Sequence, residues 1–291
     1  MTASTPPITV EARAKVNLYL HVVGKRPDGY HLLDSLIAFG GAADTLTVAP
    51  ADTLTLTVDG PTASLLPPGE VNIIEKAAHL LAEAAEVPAR AAIHLTKRLP
   101  VAAGIGGGSA DAAAALTGLS RLWGTSLPPD RMAALALTLG ADVPMCLDGR
   151  ALSVSGVGEV LVPAPKLPPV WILLVNPMVA CHTPAVFKAR TGDFGIPAPL
   201  TRAPLDAADF ARELSARSNQ LTEAAIGVVP EIARVLDAIA AQPACLLARM
   251  SGSGATCFGL FATEAAARAA DQAIKTGSPT WWSAQGPLQA N

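Results

Sequence analysis

Leu99–Leu116 reads LPVAAGIGGGSADAAAAL. Gly104, Gly106, Gly107 and Gly108 are followed at once by Ser109, Asp111 and a run of alanines. Glycine reaches positive φ at no steric cost and lets a ligand approach the backbone. Alanine has the best helix propensity of any residue. The pattern predicts a loop whose free N–H groups run into a helix N-terminus, with Ser109 suited to the N-cap. Free N–H groups and the helix dipole together favour an anion, most often phosphate.

The stretch departs from the two commonest phosphate loops. A Walker A loop ends in Gly-Lys-Ser/Thr, and no lysine lies between Gly104 and Leu116. The dinucleotide fingerprint, counted from Gly104 and Gly106, needs a third glycine where Ser109 stands. It also needs an acidic residue about twenty positions on. Asp130 sits instead beside Pro128 and Pro129, where it suits the start of the next helix. A ligand-free linker would not need these glycines abutting a strong helix former.

Outward from the loop, Ala91–Thr96 predicts the strand that leads into it. Asn72 with Glu75 predicts a helix start, and that helix runs to about Ala85. Further upstream, Ile8 to Val23 alternates. Val10, Ala12, Ala14, Val16, Leu18 and Leu20 share one face, while Lys15, Asn17, Tyr19 and His21 share the polar one. Arg26-Pro27-Asp28-Gly29 is a turn, followed by Tyr30, His31 and an apolar stretch to Phe39. Thr45–Val48 and Leu54–Val58 predict two more strands.

Downstream, Asp130–Leu139 is helical, Gly140 stops it, and Pro144 suits the first turn of another helix. Strands are predicted at Leu152–Ser155, Val160–Val162, Trp171–Val175, Leu246–Met250 and Ala255–Phe261. Helices follow Thr183-Pro184 and cover about 206–215, 219–226, 231–240 and 264–275. Strands and helices interleave without regular βαβ alternation, so the fold class is α+β. Prolines 163, 165, 168 and 169 mark the domain boundary, giving domains 1–163 and 164–291.

The 291 residues are 51% hydrophobic and 15% charged, enough for a sizeable core. A net charge of -3 without a basic block, and sparse aromatics, argue against a nucleic-acid partner. No apolar run approaches a membrane span, and the start has no apolar segment of a signal peptide, so a cytoplasmic protein is expected. The four cysteines are scattered and the five histidines lack metal spacing. The cysteines read as small core residues in a reducing compartment.

Three stretches, in order, resemble the galactokinase, homoserine kinase, mevalonate kinase and phosphomevalonate kinase (GHMP) superfamily. They are AKVNL near the start, the glycine stretch, and MSGSGATCFGLF near the end. AKVNLYLHVVGKRPDGYHLLDSL, GADVPMCLDGRALSVSGVGE and SNQLTEAA further resemble the branch acting on 4-diphosphocytidyl-2-C-methyl-D-erythritol. The match runs from about Arg13 to Phe261.

The resemblance implies a two-domain fold, an N-terminal ATP-binding domain and a C-terminal substrate-side domain, with the active site in a cleft between them. It implies ATP and Mg²⁺, and phosphorylation of the substrate's 2-hydroxyl in the non-mevalonate isoprenoid pathway. The ATP loop would comprise Pro100, Val101, Ala102, Ala103, Gly104, Ile105, Gly106, Gly107, Gly108, Ser109 and Ala110. Asp142 matches the catalytic base and Lys15 the catalytic lysine. Asn17 matches a substrate contact, Tyr30 and His31 the cytidine-binding pair, and Phe187 an aromatic closing over the cytosine. Ala110 stands where many relatives have a second serine, so one hydroxyl for phosphate or Mg²⁺ is missing.

Each residue also has a plainer reading. Asp142 could cap the following helix, Lys15 could be a solvated strand lysine, and Ser109 could be an N-cap without a metal. Ser251-Gly252-Ser253-Gly254 could be a tight hairpin turn rather than a cleft-lining loop. It is not a hydrolase elbow, because Ser251 holds the first glycine position and no histidine follows it. Two other functions compete: a superfamily kinase for homoserine or a mevalonate, which the RPDGYH stretch argues against, and a nucleotide-binding protein without catalysis, which intact Lys15 and Asp142 argue against.

Overall fold

The computed structural model describes residues 6–67 and 72–289. The chain forms two compact units, each assembled from separate stretches. One contains the chain up to Arg13, Ala43–Val101 and Gly107–Asp148; the other contains Ala14–Ala42, Ala102–Gly106 and the chain from Gly149.

The first unit begins with the opening residues of β1 (Ile8–Lys25) and takes in the end of β2 (His31–Ala49). It continues with β3 (Leu54–Asp59), α1 (Ile73–Ala84), β4 (Ala91–Thr96), α2 (Gly107–Trp123), α3 (Pro129–Leu139) and α4 (Val143–Asp148). β4 pairs antiparallel with Thr45–Ala49 of β2 and parallel with β3. Leu46, Val48, Ile74, Leu81, Ile93, Leu95, Leu116 and Leu119 form its core. Ala110 to Ala115 of α2 are all buried. Small side chains let neighbouring elements pack close to this helix, and they lose no rotamer freedom on burial.

The second unit takes the rest of β1 and β2, then β5 (Leu152–Gly156) and β6 (Val160–Pro163). β7 (Trp171–Asn176), β8 (Leu247–Met250), β9 (Cys257–Phe261) and β10 (Trp282–Pro287) form an antiparallel sheet in the order β10-β7-β9-β8. The helices are α5 (Thr183–Ala189), α6 (Ala207–Ser215), α7 (Thr222–Val228), α8 (Glu231–Ala240) and α9 (Glu264–Gly277). Leu173, Val175, Ile232, Val235, Ile239, Phe261 and Ile274 pack together.

Three features differ from the sequence reading. Compactness does not divide the chain at residues 163 and 164; β1 and β2 each supply both units, and the proline stretch merely links β6 to β7. Lys15, Asn17, Tyr19 and His21 are buried, because the second unit covers both faces of β1. β10 has no apolar alternation of its own and exists by pairing with β7. Among the described residues no helix is long and apolar enough to cross a membrane.

The start of α1 carries the predicted cap. Ile74 N donates to Asn72 Oδ1 at 3.0 Å, and Asn72 N donates to Glu75 Oε2 at 3.3 Å. Asn72→Ala removes the side-chain acceptor and should lower stability by about 1 kcal/mol in denaturant unfolding. An unchanged midpoint would show that the cap does not hold this helix.

Candidate active site

The glycine stretch turns before the helix begins. Ala102, Gly104 and Gly106 take φ of 53°, 74° and 63°. The left-handed backbone at Gly106 reverses the chain, so α2 opens at Gly107, ahead of Ser109. Ser109 is therefore a residue of the first helical turn and not its N-cap. An added Cβ at Gly107 would meet nothing closer than Lys97 Nζ at 3.4 Å, and at Gly108 it would meet nothing within 4 Å. Space and φ therefore do not demand glycine at these two positions. What they provide is a bare helix start.

Residues 102–106 are tied into the second unit by main-chain groups. Lys15 N donates to Ile105 O at 2.9 Å. Thr256 donates twice to Ala103 O, from N at 3.3 Å and from Oγ1 at 2.6 Å. A Cβ on Gly104 would lie 2.3 Å from Gly254 O, so no other residue fits there. A Cβ on Gly106 would lie 3.2 Å from Lys15 Cβ and 3.5 Å from Lys15 Cε, so the missing side chain makes room for the lysine stem. Ala103, Ile105 and Ala110 are buried. The Ala110 methyl belongs to the core of the first unit.

In the first unit an ion cluster lies buried at the start of α2. Lys97 Nζ donates to Asp44 Oδ2 at 2.5 Å and to Asp111 Oδ2 at 2.6 Å. Asp44 Oδ1 also accepts from the main-chain N–H groups of Arg98 and Leu99. Asp111 Oδ1 is buried without a hydrogen-bond partner. Burial pushes Asp111 up to about 7, with the pull of Lys97 opposing and the charge of Asp44 adding.

Also in the first unit, Asp142 immediately precedes α4 and is half-buried, and its carbonyl accepts from Cys146 N at 3.1 Å. A Cβ on Gly140 would lie 4.0 Å from Ser109 Oγ, so this connector runs beside the first turn of α2.

In the second unit, Asn17 N donates to Ser251 Oγ at 3.0 Å and Asn17 Nδ2 to Ser35 Oγ at 2.8 Å. Asn219 Nδ2 donates to Met250 O and Gly252 O, both at 2.8 Å, and holds the Ser251–Gly254 turn. Beside it, the buried Arg249 guanidinium donates to the main-chain carbonyls of Leu18, Leu214 and Arg217. Burial, helped by the charge of Arg217, pushes Arg249 down to about 10.

His31 stacks on Phe187 with ring centroids 4.9 Å apart and planes inclined by 25°. Burial, with the charges of Lys25 and Arg190, lowers the His31 pKa. Tyr30, at the end of the Arg26–Gly29 turn, is 65% exposed. Of the three residues named for the base, His31 and Phe187 are in ring contact with each other.

Residues 72–150 match the GHMP kinases N terminal domain and residues 202–278 the GHMP kinases C terminal domain. A 4-diphosphocytidyl-2-C-methyl-D-erythritol kinase of Paramagnetospirillum magneticum is 62% identical over 96% of this chain and 98% of its own. The chain belongs to the 4-diphosphocytidyl-2-C-methyl-D-erythritol kinases, within the GHMP kinases. Another such kinase, of Rhodospirillum rubrum, is 54% identical over 93% of this chain and 89% of its own. A crystal structure of 4-(cytidine 5'-diphospho)-2C-methyl-D-erythritol kinase superposes with a TM-score of 0.80 at 36% identity, covering 97% of this chain and all of that one. Homoserine kinase of Cytophaga hutchinsonii, at 19% identity, has a TM-score of 0.72, covers 100% of this chain and 97% of its own, and shares the fold.

For this GHMP kinase the structure adds residues that sequence reasoning did not single out: Asp44, Lys97, Ser35 and Asn219. Asn219 lies in the SNQLTEAA stretch that carries the resemblance, yet only the fold shows what its amide holds. Asp44 and Lys97 are 53 positions apart, and nothing in their local sequence links them.

The ion cluster predicts a pH effect. The unfolded Asp111 titrates in the ordinary carboxylate range, whereas the folded one titrates near 7. The folded protein therefore binds the extra proton between those limits, and its stability falls as pH rises through about 7. Asp111→Asn removes that proton exchange and should flatten the fall in Tm between about pH 5 and 8. A variant with the wild-type slope would assign the effect elsewhere.

Proposed function

We propose that the protein transfers the γ-phosphoryl group of ATP to the 2-hydroxyl of 4-diphosphocytidyl-2-C-methyl-D-erythritol, a step in making isoprenoid precursors by the non-mevalonate route. The observation that carries this is the 62% identity along nearly the whole chain to a kinase of that name. The bare N-terminus of α2, preceded by Gly104 and Gly106 in left-handed conformation, supports the ATP side of the reading. In the free cysteines there is support for a cytoplasmic setting.

Phosphoryl transfer asks mainly for positioning and charge stabilisation. Main-chain N–H groups of residues 101–110 would hold the phosphates, as helix starts and glycine loops do. Asp142 would take the proton of the 2-hydroxyl while its oxygen attacks the γ-phosphorus and ADP leaves. Lys15 would stabilise the charge developing on that oxygen. Its stem already lies along Gly106, which limits how the ammonium can move.

Mg²⁺ fits the donor set. It binds through few protein oxygens, with water and phosphate completing its shell. Among the described residues no cluster of three or more His, Cys, Asp or Glu forms a cage of its own. Ser109, in the first turn of α2, offers a hard hydroxyl oxygen, and Gly140 leaves the space beside it unfilled. When bound, the ion neutralises charge on the transferring phosphates.

The base site is proposed at Tyr30, His31 and Phe187. The stacked His31–Phe187 pair supplies a flat aromatic face, and the exposed Tyr30 ring is available to cover a base from the rim.

Asp142→Asn should leave ATP affinity nearly unchanged and cut kcat by about 10²–10⁴-fold. Steady-state kinetics with nucleotide titration checks this, and near wild-type kcat in a folded variant would refute the base. Cytosine and uracil exchange donor and acceptor along the edge a protein reads. The uridine analogue of the substrate should therefore lose at least tenfold in kcat/KM, since a mismatched polar pocket leaves buried groups unpaired. Equal values for the two substrates would dismiss a cytosine-reading site and leave a kinase indifferent to the base.

A further inference from the structure

Asn17 is buried on β1, and its amide could present either a donor or an acceptor to a ligand. The hydrogen bonds around it decide which. Ser35 Oγ is 2.5 Å from Tyr19 O, and a carbonyl oxygen can only accept, so the single hydroxyl proton of Ser35 is committed there. Toward Asn17, Ser35 Oγ can then only accept. The Asn17 atom 2.8 Å from it must be the NH₂ group. Oδ1 is left on the opposite side, toward Gly252, where an added Cβ would come to 3.4 Å. Among the described residues no protein group donates to it. Ser35 is itself 1% exposed, so water does not compete for its hydroxyl. Ser251 Oγ fixes the same residue from the main-chain side.

We infer that Ser35 is a positioning residue that locks the Asn17 amide with its carbonyl outward, so that Asn17 recognises a hydroxyl of the acceptor polyol and not a phosphate oxygen. The inference rests on Asn17 being a substrate contact. A hydroxyl can donate to Oδ1, whereas an ionised phosphate oxygen, carrying no proton, would face it lone pair to lone pair. Without Ser35 the amide is free to turn over and offer its nitrogen instead. The selectivity for a donor is therefore held in a buried serine that need not touch the substrate.

The test uses Ser35→Ala, Ser35→Thr and Asn17→Ala, together with substrate analogues in which each polyol hydroxyl except the phosphorylated one is replaced by fluorine. Fluorine cannot donate. In the wild-type enzyme one of these replacements should raise KM for the acceptor about three- to tenfold, the scale of one lost hydrogen bond. Ser35→Ala should raise KM for the natural acceptor by a similar factor, leave KM for ATP unchanged, and erase most of the penalty for that analogue. Ser35→Thr, which keeps the hydroxyl, should restore both. If Asn17→Ala changes neither KM nor kcat, Asn17 is no substrate contact and the underlying reading fails. If Asn17→Ala is impaired while Ser35→Ala keeps the wild-type fluorine penalty, the contact stands and the positioning role is overturned. Should Ser35→Ala fail to fold, the wild-type analogue series still decides: tolerance of every fluorine replacement would mean that Oδ1 accepts from no hydroxyl.

Discussion

The second unit is built around a near-collision. Two glycine turns, one at 102–106 and one at 251–254, meet so closely that a single methyl on Gly104 would overlap the carbonyl of Gly254. Main-chain contact of this kind permits no slack. It fixes the segment ahead of α2 to within the tolerance of a hydrogen bond, and the bonds from Lys15 and Thr256 to its carbonyls secure it from either side. In the phosphate-holding role proposed for it, the loop would gain from such rigidity, because little ordering would remain to be done on binding.

The same economy appears on β1. A strand with both faces buried and polar residues on one of them is costly unless each polar group finds a partner. Asn17 is met by Ser35 and Ser251, and Tyr19 donates to Asp34 Oδ1 at 2.9 Å. His21 accepts at Nε2 from Ser218 N. In the first unit Lys97 serves two carboxylates, and the one oxygen left over, on Asp111, is where the pH sensitivity collects.

Much of this was legible in order along the chain. Asn72 and Glu75 announced a helix, the alternation from Ile8 announced β1, and the glycine-to-alanine transition announced α2. These are local signals, set by propensity and by periods of two or 3.6 residues. The start of α2 was misplaced because Ser109 is a good cap only if the turn has not already been made, and Gly106 makes it. The compact units do not follow the proline stretch, because prolines mark a bend in the chain, whereas compactness depends on which distant segments pack. β10 left no trace in its own residues. Of the candidate site, the residue types were visible in the motifs, but the orientation of an amide, the partner of Phe187 and the company of Lys97 are properties of the fold alone.

The treatment of Arg249 has a consequence for how the second unit responds to its surroundings. Its guanidinium charge is solvated by the dipoles of three carbonyls, on Leu18, Leu214 and Arg217, and none of these bonds is to an ionised side chain. Mobile salt ions weaken a pair of opposite charges, but they have little purchase on a buried cation held by peptide dipoles. With its pKa near 10, the group also keeps its proton across the physiological range. The clamp joining β1, the end of α6 and β8 should therefore hold at any ionic strength the cell imposes, while the exposed ion pairs on the helix surfaces, such as Arg268 with Glu264, loosen with added salt.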